Sequence, residues 1–509
     1  MDLLNRLWKS RWIDMFFPLS FLSSSLLNVL FFYLGLAYQE NPVRSYGFII
    51  GELLFAAMSG LMFLAALKHH KISKVSLAYL GALFLLYCAN FAIGLSHFGL
   101  SAAIKDRGVH FVFFALPAFL IGICGALSHV EQRFLPLMEQ LSFFVLPAGI
   151  IYFNGRLFDC SPFAQSGRDL GVMDYMFFAY TIMPFLLVHI FQFCEKAPLE
   201  FPVIRKRIPH PQFFRCGLIA IYWIGILGSG TRGAYICVFG TCILLVISQI
   251  LHRRSVMRPL LISVAIFAVF FFNMCIYAPR GMQAVARMEI FLKGLGQGQL
   301  VTSTKLEENQ GDLDELVSAD NGKQVANLPA PMEEDQDKPE GSASADNENA
   351  TDGPSGPVEP SLDEGIGITQ EIGDRGDLYT LAVKEFLKSP WTGMGLGGYA
   401  VKYDEHPHNM ILELFCEGGL LFGLPVLILI ILAVFRIFRL GWTDRSIRYL
   451  FLFFSAYAIR ANTIGSVWMS DYLLCAMGYG LTLSASYSRQ DLSGRELPQT
   501  SSGTDETSI

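Results

Sequence analysis

The stretch NMILELFCEGGLLFGLPVLILIILAVF, residues 409–435, decides the fold. It is far longer than the usual strand of about six residues, and its only charged side chains are Glu413 and Glu417. As a helix rising about 1.5 Å per residue, such a run crosses the roughly 30 Å hydrocarbon core of a bilayer. Carboxylates are costly in lipid, so Glu413 and Glu417 are expected to face a polar interior. That interior suits either a catalytic cavity or a transport path.

The same reading extends in both directions. Apolar runs long enough to span occur at roughly 12–36, 46–67, 75–97, 109–128, 137–153, 172–194, 213–229, 233–251, 259–278, 409–435, 449–468 and 470–487. The fifth and seventh are short. Pro117, Pro184 and Pro425 fall inside spans, which membrane helices tolerate when neighbours satisfy the freed carbonyl. The expected fold is an all-α polytopic membrane protein with about twelve transmembrane helices. Composition agrees, with 52% hydrophobic and 16% charged residues and 43 Phe, where soluble proteins carry about a quarter charged residues.

Charge divides the chain. Residues 301–374 hold 19 acidic and 3 basic side chains, a net of −16, which leaves +10 on the remainder of a chain whose total is −6. The basic residues cluster at Arg6, Lys9 and Arg11; at Lys68, Lys71 and Lys74; at Arg205, Lys206, Arg207 and Arg215; at Arg253, Arg254 and Arg258; and at Arg436, Arg439, Arg445 and Arg448. With about twelve spans all these clusters share one side, which the positive-inside rule makes the cytoplasm, with both termini there. No small-residue cleavage site follows the first apolar run, so no cleaved signal is expected. The acidic block is no nucleic-acid signal; it is the opposite charge. Most of the ten cysteines lie in apolar runs and read as small hydrophobes. Cys160 alone is placed to meet an oxidising compartment, and it has no obvious partner.

Four regions follow: N-terminal membrane helices over 1–278, about nine spans; a long outer connection over 279–408; C-terminal membrane helices over 409–487, about three spans; and a polar tail over 488–509. Within the connection, an acidic insert at 296–373 lacks the apolar residues to build a core, so disorder is expected there. Ordered helices are expected to bracket it. Met282 to Leu292 has helical spacing. A second helix carries Leu378, Leu381, Ala382 and Leu387, with Asp374 as its cap and Pro390 as its end.

Three places on the outer side carry residues suited to chemistry. In Gly228-Ser-Gly-Thr-Arg232-Gly-Ala, Arg232 sits in a hairpin whose exposed amides offer an anion nest, or it simply snorkels to the interface. In Asp374-Arg375-Gly-Asp-Leu-Tyr379, Arg375 lies in the first turn of a helix, where free amides favour anions, or it is an exposed arginine on an amphipathic face. The glycine run at 393–398 resembles a phosphate loop superficially, but no strand precedes it and no helix with Lys-Ser/Thr follows. In Asp404-Glu-His406-Pro-His408-Asn409, the proline forces an extended segment and no HxxxH or HExxH helix is present. Metal binding is therefore less well supported than an acid, base or diphosphate-ligand role for a histidine at the mouth of a span.

These segments resemble a known family. HPHNMILELFCEGGLLFGL, residues 406–424, is similar to the signature of the O-antigen ligase and polymerase superfamily, in which His-Asn precedes an apolar helix carrying Glu and spaced glycines. RGDLYTLAVKEFLKSPWTGMGLGGY, residues 375–399, resembles the segment upstream of it, and SGTRGAY, residues 229–235, resembles the family's Ser-Arg-Gly turn. One departure is that the last glycine, expected at Phe422, is Gly423.

The resemblance implies a GT-C-like membrane glycosyltransferase of the bacterial inner membrane. It implies an undecaprenyl-diphosphate-linked glycan as donor, an outward-facing site, no cofactor, a metal-independent reaction and inversion at the anomeric carbon. The acceptor would be lipid A–core for a ligase or a second lipid-linked glycan for a polymerase. By motif, Arg232, Arg375 and His408 match the family's functional residues, with Asn409 beside them as a substrate-binding candidate. His408 could act as base or as diphosphate ligand, and His406 is the weaker candidate because the motif continues from His408 into Asn409. A protein O-oligosaccharyltransferase is a third variant. A polysaccharide transporter or flippase is a different class, which would need internal repeats that the sequence lacks.

Overall fold

The computed structural model of the chain describes residues 12–20, 22, 27, 46–69, 72–153, 175–200, 208–229, 231–276, 375–463 and 466–492. The helix expected at Met282 to Leu292, the cap Asp374, the acidic insert, Cys160 and the tail beyond Leu492 lie outside these residues.

Helices follow the apolar runs. In chain order they are α1 (Trp12–Ser20), α2 (Tyr46–Lys68), α3 (Lys74–Phe98), α4 (Ala102–His110), α5 (Leu116–Ser128), α6 (Glu131–Phe153), α7 (Tyr175–Cys194), α8 (Pro211–Ser229), α9 (Arg232–Leu251), α10 (Met257–Ile276), α11 (Arg375–Lys388), α12 (Gly398–Tyr403), α13 (Met410–Gly441), α14 (Arg445–Thr463) and α15 (Asp471–Leu492). Among the described residues, Ile49–Lys68, Lys74–Phe98, Ala102–Ser128, Gly233–Leu251 and Met410–Gly441 are long and apolar enough to cross a membrane, and Ala179–Cys194, Pro211–Leu227 and Met257–Phe272 are shorter apolar helices. The described chain is thus an all-helical, multi-pass membrane protein. Two compact units divide it, residues 1–283 with 378–509, and residues 284–377. Of the second unit only Arg375, Gly376 and Asp377 are described.

Several boundaries differ from the sequence reading, each for a local reason. The fourth span starts at Ala102 rather than near 109, capped by the Ser101 hydroxyl, which accepts from Ile104 N at 3.4 Å. Its polar first turns, with Lys105, Asp106 and Arg107, hide it from an apolar search. A π turn, Phe111–Ala115, joins α4 to α5. It lies just ahead of Pro117, whose ring would clash with a carbonyl of a regular helix. Helix α14 begins at Arg445 because the Asp444 carboxylate accepts from Ser446 N at 2.7 Å and Ile447 N at 3.2 Å. Arg215, read from sequence as part of a basic loop, is fully buried. It pairs with Glu139 at 2.6 Å and donates to the carbonyls of Ala197 and Pro198 just beyond α7, where a cation complements the helix dipole.

Helix α15 sits tightly against α5 and α13. A Cβ on Gly122 would collide with Cys475 of α15, one on Gly478 with Phe119, and one on Gly480 with Ala433 of α13. Small residues bring helix backbones together where lipid offers no hydrophobic driving force between them.

The long helix α13 is broken. Gly419 takes φ 57° and ψ −160°, outside the helical region. The groups freed by the break are satisfied by the glycine-rich turn that follows α11. Met394 N donates to Cys416 O and Gly395 N to Glu417 O, both at 2.9 Å. In return, Leu420 N donates to Pro390 O at 2.8 Å and Leu421 N to Trp391 O at 2.9 Å. Backbone at membrane depth is tolerated in this form only when every polar group finds such a partner. Gly419→Ala would place a Cβ against Trp391 O and Gly393 N at a φ that disfavours any side chain. We expect that variant to lose at least about 2 kcal/mol, seen as a lower unfolding midpoint and reduced yield of monodisperse protein. An unchanged midpoint would show that the break is not needed. The displaced glycine of the sequence motif also has a reason here, because a Cβ on Gly423 would strike the Leu414 carbonyl.

Candidate functional site

Helix α11 ends at Lys388, just before Pro390 as expected, and the turn that follows leads into α12. Gly393, Gly395 and Gly397 have φ of 66°, 85° and 79°. Their run is no open phosphate cradle, since the amides of Gly393, Met394, Gly395 and Leu396 donate to Ser389, Cys416, Glu417 and Asn90 carbonyls.

Glu385 of α11 fastens this module. It is buried, and its Oε1 accepts from Lys388 Nζ at 2.7 Å, Tyr403 Oη at 2.7 Å and Lys402 Nζ at 3.0 Å. Burial raises its pKa, but the three hydrogen bonds outweigh burial and hold it below the ordinary value of 4.5. A lowered carboxyl pKa stabilises the fold above the unfolded value, and that stabilisation is lost as pH falls through the folded one. Stability measured from neutral pH down to about 3 should fall on the acid side, and Glu385→Gln should flatten that limb. An unaltered limb in the variant would remove Glu385 from this role.

Beyond α12, Asp404 and His408 both adopt left-handed φ, 54° and 50°. Such a conformation costs a residue with a side chain about 1–2 kcal/mol and persists only where surroundings enforce it. Asp404 is the C-cap of α12, its N–H donating to Ala400 O, and His408 directly precedes Asn409, the N-cap of α13. The Asn409 Oδ1 accepts from Ile411 N at 3.0 Å and Leu412 N at 3.1 Å, and its Nδ2 donates to Asn462 O at 3.2 Å. His408 Nε2 lies 3.1 Å from Glu405 Oε1, and both side chains are partly exposed.

His406 turns the other way, into a buried charge cluster that the sequence reading did not anticipate. Its Nδ1 is 3.2 Å from Arg107 Nη2. Arg107 is 1% exposed. Its guanidinium lies 2.8 Å from Glu413 Oε1 and 3.8 Å from Glu417 Oε1, and its Nη1 donates to Ser466 Oγ at 2.9 Å. Glu413 also accepts from Ser466 Oγ at 2.7 Å and from Val467 N at 2.9 Å. The Arg107 carbonyl, which already accepts from Phe111 N, also accepts from Tyr87 Oη at 2.8 Å, while the Tyr87 ring stacks on Phe111 at 3.6 Å. A water-sized cavity lined by Asn90, Leu396, Glu413, Glu417 and Trp468 adjoins the cluster. Glu413 and Glu417 therefore do meet a polar interior. Burial, and then the Arg107 charge, push His406 below its ordinary pKa of 6.5, which leaves its ring neutral at neutral pH. Among the described residues, no three His, Cys, Asp or Glu side chains converge in a way that could hold a metal ion.

Arg232 is the first residue of α9, following an extended Thr231, and Arg375 is the first residue of α11. Both begin helices, where backbone amides are unpaired within the helix. Their side chains lie outside the described set. The signal that could have revealed Arg107 was an arginine set beside an apolar run, where a charge needs a partner.

No curated protein and no solved structure matches the chain. A family model does match, that of O-antigen ligase, over residues 217–427. The match runs from α8 into α13 and takes in Arg232, Arg375, His406, His408, Asn409, Glu413 and Glu417. Over this central segment the chain is similar to the O-antigen ligase family.

Proposed function

We propose that this protein is a membrane glycosyltransferase that moves a glycan from undecaprenyl diphosphate to a hydroxyl acceptor at the outer face of the inner membrane, in surface polysaccharide assembly. The observation that carries the reading is the His-Pro-His-Asn segment, set at the head of α13 by a cap and a buried charge cluster, inside the segment matched to the O-antigen ligase family. That family performs glycosyl transfer.

The chemistry follows from the residue types. The acceptor oxygen attacks the anomeric carbon from the face opposite the diphosphate, the carbon–oxygen bond to phosphate breaks, and the configuration inverts. The acceptor proton passes to His408 or to the departing diphosphate. Charge building on that leaving group is met by guanidinium groups, which bind phosphate oxygens bidentately, so Arg232 and Arg375 are assigned to the diphosphate. Glu405 beside His408 orients its ring and favours a proton on Nε2. Asn409 fixes the backbone that presents it.

The test is incubation of the purified full-length protein with an undecaprenyl-diphosphate oligosaccharide and, in parallel, with lipid A–core or with a second portion of the lipid-linked repeat. Glycan on lipid A–core identifies a ligase, and a lengthened lipid-linked glycan identifies a polymerase. No transfer to either acceptor refutes the proposal.

A further inference from the structure

The contact between Arg107 and His406 constrains protons as well as positions. A guanidinium has five N–H donors and no acceptor. His406 Nδ1, 3.2 Å from Arg107 Nη2, must therefore offer its lone pair. A ring that accepts at Nδ1 is not an imidazolium, and its single proton sits on Nε2. The contact is difficult to rearrange. Arg107 is fully enclosed, its Nη2 also lies 2.8 Å from Glu413 Oε1, and its Nη1 donates to Ser466 Oγ. Pro407 is buried on the C-terminal side of His406, and the Asn409 cap follows. Its ring is only partly buried, and among the described residues no hydrogen bond is made by its Nε2.

We infer that Arg107 is a positioning residue that holds His406 as the neutral Nε2–H tautomer, and that His406 thereby serves as a fixed hydrogen-bond donor to the diphosphate of the glycan donor. The donor role rests on the proposed function. The tautomer does not, because it follows from the contact alone. In this arrangement the two histidines divide the labour. His408 is paired with a carboxylate and suited to receive a proton. His406 is paired with a cation and suited only to give a hydrogen bond. His406, the weaker candidate in the sequence reading, thereby gains a role of its own beside His408.

Two measurements on the full-length protein in lipid nanodiscs test it. The first is nitrogen magnetic resonance of protein labelled at histidine ring nitrogens, with His406 identified by the signals lost in His406→Gln. Near neutral pH its Nδ1 should be unprotonated and its Nε2 protonated. In Arg107→Lys, which keeps the charge for Glu413 but loses the fork, that pattern should weaken or mix. An Nδ1–H tautomer or an imidazolium in the unmodified protein overturns the positioning claim.

The second is binding of undecaprenyl diphosphate without glycan. His406→Ala should weaken it about tenfold or more, the loss that follows from a hydrogen bond to a charged group. His406→Gln keeps an N–H near the Nε2 position and should recover most of that loss, while His406→Asn should not. Binding by His406→Ala equal to that of the unmodified protein overturns the donor role alone. Failure of the unmodified protein to bind overturns the donor role and the proposed function together, and the resonance result still decides the tautomer.

Discussion

Arg107→Met is expected to be the most destabilising single substitution in the described part of the chain. The side chain is of similar length, so packing volume is largely kept while the charge is removed. Two enclosed carboxylates, Glu413 and Glu417, then face each other without the cation that lies 2.8 and 3.8 Å from them. Breaking a buried ion pair from one side costs about 3–5 kcal/mol, because the partner charge is left uncompensated. The Ser466 hydroxyl and the His406 ring lose a donor in the same step. The expected result is a large drop in unfolding midpoint and in recovered monodisperse protein. Arg107→Met combined with Glu413→Gln should recover part of it, since the second change removes one orphaned charge. A single variant as stable as the parent would show that the cluster is not ion-paired as described.

The largest effect on activity is expected at His408, Arg232 and Arg375. Losing one well-placed contact to a developing charge in a shielded site costs about a hundredfold or more in rate. His408→Ala should fall in that range. Arg232→Lys and Arg375→Lys should also be harmful, because an ammonium cannot reproduce a bidentate fork. The measurement is glycan transfer from the lipid-diphosphate donor by purified variants, with and without EDTA. Near-normal transfer by His408→Ala or Arg375→Ala would place the chemistry elsewhere. Loss of activity in EDTA with recovery on adding a divalent ion would restore a metal role to the His-Pro-His segment.

Much of the fold is legible in the sequence because lipid imposes one rule, that apolar length makes a helix. Spans such as Gly233–Leu251 and the run that became α13 follow it closely. The rule fails where polar residues begin a helix. Lys105, Asp106 and Arg107 read as loop, yet they form the first turns of a span. The sequence also signals that Glu413 and Glu417 need a polar partner, without naming it. Arg107 lies more than 300 positions away along the chain, and only packing joins them. Gly419 is likewise invisible as a break, since nothing in EGGLL distinguishes the glycine that leaves the helix from the one that stays in it. The motif residues themselves were legible through resemblance rather than periodicity. What periodicity misses is which of two neighbouring histidines turns inward.

The break in α13 has a mechanical consequence. A left-handed glycine within a long helix is ordinarily a place to bend, and many transporters and lids use such points as hinges. Here four backbone hydrogen bonds, two in each direction, tie the flanks of Gly419 to residues 390–395. Any change of angle there would have to rupture them together. Gly419 is a rigid corner, and the head of α13 and the turn after α11 travel as one block with the His-Pro-His-Asn segment between them. Under the proposed function, admission of a bulky lipid-linked glycan would then come from motion outside that block, with this corner held still while the substrate arrives.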